Sequence, residues 1–118
     1  MALPRLIFKS EKRETRWRSP AHLKFVRSHH CCVPGCDRMP IEAAHVRMGT
    51  GGGMGFKPAD YWTVSLCGGV EGHHSEQHRI GEKTFSAKYN IDLRALAEEF
   101  CKASPKRAEI VAEKASRP

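Results

Sequence analysis

The chain of 118 residues has no long apolar run. No segment approaches the roughly 18 apolar residues that a membrane-spanning helix needs. The first nine residues are too short and too interrupted to serve as the apolar part of a secretion signal. These absences predict a protein of the cytoplasm with no membrane partner.

Acidic residues are also scarce, with 13 Asp and Glu against 20 Lys and Arg, which gives a formal net charge of +7. Such an excess suits a polyanionic partner, nucleic acid before an anionic membrane. Basic residues and Trp17 fill residues 1–18, which we interpret as a basic N-terminal arm; a solvated tail is the alternative. Arg16 and Arg18 of this arm are candidate nucleic-acid contacts.

A phosphate-binding nucleotide motif is missing as well. Residues 49–55 include five glycines, but no Gly-Lys-Ser or Gly-Lys-Thr follows them into a helix. We therefore expect no nucleotide cofactor. The glycines instead predict a long, mobile loop that approaches a large ligand closely.

In contrast to these absences, the chain contains five cysteines. In a reducing cytoplasm, irregularly spaced cysteines favour metal binding over disulfides. A tight turn at Pro34 and Gly35 would bring Cys36 close to either Cys31 or Cys32. Both spacings suit a zinc knuckle, so the sequence geometry alone does not choose between them.

A second cluster of metal-binding residue types lies in residues 67–78. If a helix begins near His73, then His74 and His78 are four residues apart and project from one face, where their imidazoles can share an ion. His73 is turned about 100° away around the helix and is free to join Cys67 in another site. The spacing therefore predicts the rims of two metal sites.

Caps and periodicity predict the secondary structure. The expected elements are a helix from Ser19-Pro20 to about residue 28, strands at 41–46 and 61–66, a helix from about His73 to Gly81, a helix at 84–89 closed by Asn90, and a final helix capped by Asp92. The apolar stripe of the final helix includes Cys101, which we interpret as a core residue. From Ser104 onward, Pro105 and the charges predict a frayed tail.

This order of elements resembles the ββα-metal (His-Me finger, HNH) nucleases, with His45 on the first strand and His74 and His78 on the helix. The similarity extends to the small phage and prophage HNH proteins of the Ref-like and YbcO-like type. It is carried by the motifs Ala44-His45-Val46-Arg47, the glycine loop, Lys57-Pro58-Ala59-Asp60, Leu66-Cys67 and His73-His74-x-x-x-His78.

The resemblance covers about residues 17–104 and implies an α+β fold. Its expected centre is a small zinc-stabilised ββα-metal core with flanking N- and C-terminal helices. The expected organisation is a basic arm at 1–18, a nuclease domain at 19–104 and a charged tail at 105–118.

The resemblance also implies roles for individual residues. A structural zinc would be bound by Cys31, in preference to Cys32, together with Cys36, Cys67 and His73. His45 corresponds to the general base, and Asp60 is the candidate for the orienting role of the asparagine that the motif lacks. One divalent ion, Mg²⁺, Mn²⁺ or Zn²⁺, would bind His74 and His78. The expected phosphate contacts are Arg47, Lys57 and Arg79.

The implied function is a metal-dependent DNA endonuclease of a bacterial or phage-infected cell, linked to DNA recombination or processing and with a recombination protein as a partner. The alternative is a non-catalytic zinc-binding module that binds nucleic acid or a protein. Many HNH enzymes have a metal ligand just before the base, where this chain has Ala44, and this departure favours the alternative. Glu42 or Asp60 is a candidate to compensate. The trio of His45, His74 and His78 favours the enzyme.

Overall fold

The computed structural model describes residues 2–4, 16–49 and 57–116. The elements in these ranges are α1 (Pro20–Arg27), β1 (Ile41–His45), β2 (Thr63–Cys67), α2 (His73–Ile80), α3 (Glu82–Tyr89), α4 (Leu93–Ala103) and α5 (Arg107–Ala115). The α+β class and the predicted order of the elements from α1 to α4 are confirmed. All of the predicted glycine loop at 49–55 except Gly49, and most of the basic arm, lie outside the described residues.

The two strands form an antiparallel pair that carries residues of both candidate sites. The register pairs Ile41 with Cys67 and His45 with Thr63, so the candidate ligand Cys67 and the candidate base His45 lie at opposite ends of the ladder. Every residue of β2 is buried, because helices α1, α2 and α4 all contact it. The position of Cys67 at the end of β2 is therefore fixed by the packing of three helices against this strand.

Helix boundaries follow the predicted caps. The Ser19 side chain accepts a hydrogen bond from the His22 amide at the start of α1, and the Asp92 side chain accepts one from the Ala95 amide at the start of α4. Gly81 ends α2 with φ of 87°, a conformation that a side chain would oppose. Asn90 closes α3 in the left-handed region, as predicted.

Helix α4 packs its apolar stripe into the core. Leu93, Ala97 and Cys101 are buried, and Leu96 and Phe100 lie partly buried against the same cluster. The Cys101 thiol donates a hydrogen bond to the carbonyl of Tyr61 at 3.1 Å. The prediction of Cys101 as a core residue is confirmed.

The prediction of a frayed tail is wrong. Residues 107–115 form α5, and Ile110 is only 2% exposed within the hydrophobic core. Trp17 donates a hydrogen bond from Nε1 to Glu109 at 2.9 Å, and its carbonyl accepts the amide of Asp60. Ordered structure thus extends beyond the predicted limits of residues 19 and 104, because apolar contacts with the core outweigh the local polarity of both segments.

In the described parts of the chain, we find no helix with the length and apolar character of a membrane span.

Candidate functional site

Four side chains converge on a site that could hold a metal ion. The ligand atoms of Cys31, Cys36, Cys67 and His73 all lie within 4.8 Å of one another. His73 Nδ1 is 3.4 Å from Cys31 Sγ and 3.2 Å from Cys67 Sγ, and the Cys36 and Cys67 sulfurs are 3.9 Å apart. Tetrahedral zinc, with bonds of about 2.0–2.3 Å, separates its ligand atoms by roughly 3.4–3.8 Å. The four residues fit such an ion.

Local backbone structure brings these ligands together. Gly35 has φ of 80°, and the turn around it lets the Cys36 amide donate to the Val33 carbonyl at 3.0 Å. Cys67 is the last residue of β2 and His73 is the first of α2, so a short turn joins them. The His73 amide also donates to the Cys67 sulfur at 3.2 Å. A hydrogen bond of this kind stabilises a metal-bound thiolate.

The structure distinguishes the two adjacent cysteines. Among the described residues the metal-binding group includes Cys31 and not Cys32, in agreement with the predicted preference. The Cys32 amide donates to the Ser65 carbonyl at 2.8 Å and so ties the knuckle to β2. Burial raises the pKa of Cys31 to about 11 and that of Cys32 to about 12. In the metal-free protein both thiols are protonated at neutral pH, and an ion must displace the proton of Cys31.

A second group of functional side chains surrounds an open cleft of about 600 Å³. The three histidines predicted for catalysis all line this cleft, although they come from β1 and α2. The lining residues are Leu23, Arg27, Glu42, Ala43, His45, Arg47, Lys57, His74 and His78. Imidazole, carboxylate and basic side chains therefore meet on one surface.

His74 and His78 present their imidazoles to each other on α2. Their Nε2 atoms are 3.2 Å apart, close to the roughly 3.0–3.4 Å that two ligands of one divalent ion require. His74 Nδ1 lies 2.8 Å from the Oε1 atom of Glu42. The pair fits an ion that takes its remaining ligands from outside the protein. Among the described residues, only the Cys₃His group gathers three or more ligand atoms within 4.8 Å.

The ring of His45 is hydrogen-bonded to Asp60. The distance from His45 Nε2 to Asp60 Oδ1 is 3.0 Å, and the carboxylate also accepts the Ser19 amide at 2.8 Å and Arg18 Nη1 at 3.1 Å. Burial alone would raise the pKa of Asp60, but these hydrogen bonds together lower it. Asp60 is therefore ionised at neutral pH and accepts a hydrogen bond from the Nε2–H group of His45. The unprotonated nitrogen is then Nδ1. The hydrogen bond fixes the orientation of the His45 ring, and the catalytic role predicted for the two residues stays a prediction.

The candidate phosphate contacts separate into two groups. Lys57 and Arg47 line the cleft, whereas Arg79 is exposed on α2 outside the described cleft lining. Arg27, the last residue of α1, lines the cleft as well but was not among the predicted phosphate contacts. Its position at the end of the helix that leads to the turn between Cys31 and Cys36 was the available signal.

Arg16 and Arg18, the two candidate nucleic-acid contacts of the basic arm, lie closer to the domain than predicted. Arg18 donates to Asp60 and to the carbonyls of Lys57 and Pro58, so its guanidinium braces the segment that holds Asp60. Arg16 is half-buried, with its Nε atom shielded from solvent. The structure thus gives Arg18 a structural role that the charge pattern did not indicate.

The chain belongs to a family described as "Protein of unknown function (DUF968)", whose family model matches residues 3–105. The match includes every candidate ligand and every residue that lines the cleft, and it ends before α5. No curated protein and no solved structure matches the chain. Its function must therefore be inferred from the chemistry of the site.

Proposed function

We propose that the protein is a metal-dependent DNA endonuclease that hydrolyses phosphodiester bonds in an HNH-type (ββα-metal) core. The observation that supports this most directly is the meeting of His45, His74 and His78 in one cleft, with Asp60 hydrogen-bonded to His45. A module that only bound zinc or nucleic acid would have no need of this arrangement. In this proposal the Cys₃His group binds a structural zinc, and His74 and His78 bind a second divalent ion.

His45 acts as the general base of the proposed reaction. A neutral imidazole can take a proton from water as the water attacks the phosphorus. Because the Nε2–H group of His45 donates a hydrogen bond to Asp60, the ring proton stays on Nε2. The lone pair of Nδ1 is then available to take the proton from water. As Nδ1 gains its proton, the ring becomes an imidazolium, and the adjacent carboxylate of Asp60 stabilises its charge.

The phosphodiester must be positioned and its negative charge offset. A divalent ion at His74 and His78 would supply electrostatic stabilisation of the phosphate and the leaving oxygen. Arg27, Arg47 and Lys57 line the same cleft and suit contacts with neighbouring phosphates. The net charge of +7 adds a sequence-independent attraction to DNA.

The resemblance to phage and prophage proteins supports a cellular role for this activity. We place the enzyme in DNA recombination or processing in the cytoplasm of a bacterial or phage-infected cell, with a recombination protein as its partner.

One observation favours the alternative, a zinc module that binds nucleic acid without cleaving it. Ala44 is fully buried in the core, so the position before the base offers no metal ligand to the cleft. The second ion would then have only two protein ligands, His74 and His78. The two functions differ in their product, because a binding module leaves the DNA backbone intact.

The test is incubation of supercoiled plasmid with the purified protein and Mg²⁺, Mn²⁺ or Zn²⁺ in separate reactions. The proposed enzyme nicks or linearises the plasmid with at least one of these ions, and EDTA stops the reaction. Retarded but uncut plasmid under all three ions would establish the alternative. A catalytically inactive variant purified in parallel excludes a contaminating nuclease.

DNA affinity is expected to depend steeply on salt, and Lys57→Ala is expected to reduce that dependence. Each phosphate contact releases counterions, so loss of one contact lowers the slope of log K against log salt by about 1. Lys83→Ala is the matched control, because Lys83 is exposed on α3 outside the described cleft lining. Fluorescence anisotropy at several salt concentrations measures both slopes. Equal slopes for the two variants would show that the cleft does not contact the phosphates.

A further inference from the structure

The second ion site has only two candidate protein ligands, His74 and His78. Glu42 lies beside this pair and contacts one of the two rings. Position 44 faces the core, whereas Glu42, two residues earlier on β1, lines the cleft. Its carboxylate is the acidic group that meets the histidine pair, with Oε1 2.8 Å from His74 Nδ1. The contact reaches the far nitrogen of the ring, not the nitrogen that faces His78.

This contact determines which nitrogen of His74 can bind an ion. A carboxylate accepts a hydrogen bond, so the Nδ1 atom of His74 carries the proton and Nε2 carries the lone pair. That lone pair belongs to the atom that lies 3.2 Å from His78 Nε2. Without the carboxylate, an imidazole exchanges between two tautomers and two ring orientations, and only some of these present Nε2 to the ion.

Gly68 borders the position that the Glu42 carboxylate occupies. A Cβ atom on Gly68 would lie 2.6 Å from Glu42 Cδ and 2.9 Å from each carboxylate oxygen. Glycine therefore leaves open the space that the carboxylate occupies. The amide of Gly68 is fixed at the same time by the Pro40 carbonyl at 2.8 Å.

We propose that Glu42 is the positioning residue of the second ion site: it holds His74 as the Nδ1-protonated tautomer and aims Nε2 at the ion shared with His78. This inference rests on the proposed function, since it assumes the second ion. The Glu42 side chain is 51% exposed, so its hydrogen bond with His74 contributes little to stability. Its effect is on the orientation and basicity of the ligand, as carboxylates commonly act on metal-binding histidines.

The test measures Mn²⁺ affinity by calorimetry in protein whose Cys₃His site is loaded with zinc. Glu42→Ala is expected to weaken Mn²⁺ binding about 10- to 100-fold with an unchanged melting temperature. Glu42→Gln should lose less Mn²⁺ affinity, because the amide oxygen can still accept a hydrogen bond from the Nδ1–H group of His74. Gly68→Ala keeps the charge but displaces the carboxylate, and we expect it to resemble Glu42→Ala. Glu99→Ala, which removes an exposed carboxylate on α4, is the matched control.

Nitrogen-15 NMR of the His74 ring distinguishes positioning from direct ligation. In wild-type protein with Zn²⁺ in both sites, the Nδ1 proton should be protected by Glu42, and in Glu42→Ala it should exchange rapidly. A wild-type proton that exchanges as fast as in Glu42→Ala, or unchanged Mn²⁺ affinity in both Glu42 variants, overturns the inference. If His74→Ala and His78→Ala also bind Mn²⁺ like the wild type, then the second ion itself is absent and the proposed function fails.

Discussion

Replacing His45 with alanine is expected to reduce plasmid cleavage by at least about a hundredfold and to leave the folded protein otherwise unchanged. The side chain is at the edge of the cleft, and its contact with Asp60 is made by the ring alone. The Cys₃His group that could hold a metal ion does not include His45. Melting temperature, zinc content and DNA affinity should therefore stay close to wild type while the cleavage rate falls.

A matched histidine variant makes this result specific. His30 is exposed, and its backbone carbonyl accepts a hydrogen bond from the Ser65 hydroxyl, a contact that the substitution keeps. His30→Ala should cleave plasmid at the wild-type rate. His74→Ala and His78→Ala should lose cleavage for another reason, weaker binding of the second ion. If His45→Ala cleaves plasmid as well as His30→Ala does, the proposed general base is wrong.

Loss of a ligand from the Cys₃His group is expected to unfold the protein. Zinc binding at a structural site contributes on the order of 10 kcal/mol, as much as the whole stability of a typical domain. Cys67 is fully buried at the end of β2, and the Cys36 sulfur lies 3.9 Å from the Cys67 sulfur. Cys67→Ser and Cys36→Ser should therefore lose both the cooperative thermal transition and the bound zinc.

Two pairs of adjacent residues provide the controls for this prediction. Cys31→Ser should unfold the protein, whereas Cys32→Ser should retain zinc, because the Cys32 contact with β2 is made by its amide. Likewise, His73→Ala should behave like the cysteine variants, and His74→Ala should stay folded. Circular dichroism melting curves and elemental analysis compare all four variants. A stable His73→Ala beside an unfolded His74→Ala would mean that the adjacent histidines are assigned to the wrong sites.

The sequence predicted those features that depend on neighbouring residues. The caps at Ser19, Gly81, Asn90 and Asp92 are local, because each is determined by a side chain or a φ angle within one turn. The placement of the adjacent residues His73 and His74 in two different groups also follows from the 3.6-residue period of a helix, which turns neighbouring side chains about 100° apart.

The features that escaped prediction depend on residues far apart in the chain. Glu42 meets His74 across 32 residues, and Arg18 meets Asp60 across 42. No local pattern encodes such contacts, because they arise only when β1, α1 and α2 pack together. For the same reason, the charge of Arg18 suggested a contact with nucleic acid, whereas in the structure Arg18 pairs with Asp60 of the same domain.

The hydrogen bond between Trp17 and Glu109 joins positions 92 residues apart, and so connects the two margins of the domain. The family match ends at residue 105, before Glu109 and before the buried Ile110. A shortened protein ending there would keep every candidate ligand and the whole cleft, but it would leave Trp17 without this partner and remove Ile110 from the core. Inactivity of such a truncation would consequently reflect a damaged scaffold and carry no information about catalysis. Boundaries for expressing this domain should therefore be chosen from its core, through residue 116, and not from the extent of sequence similarity.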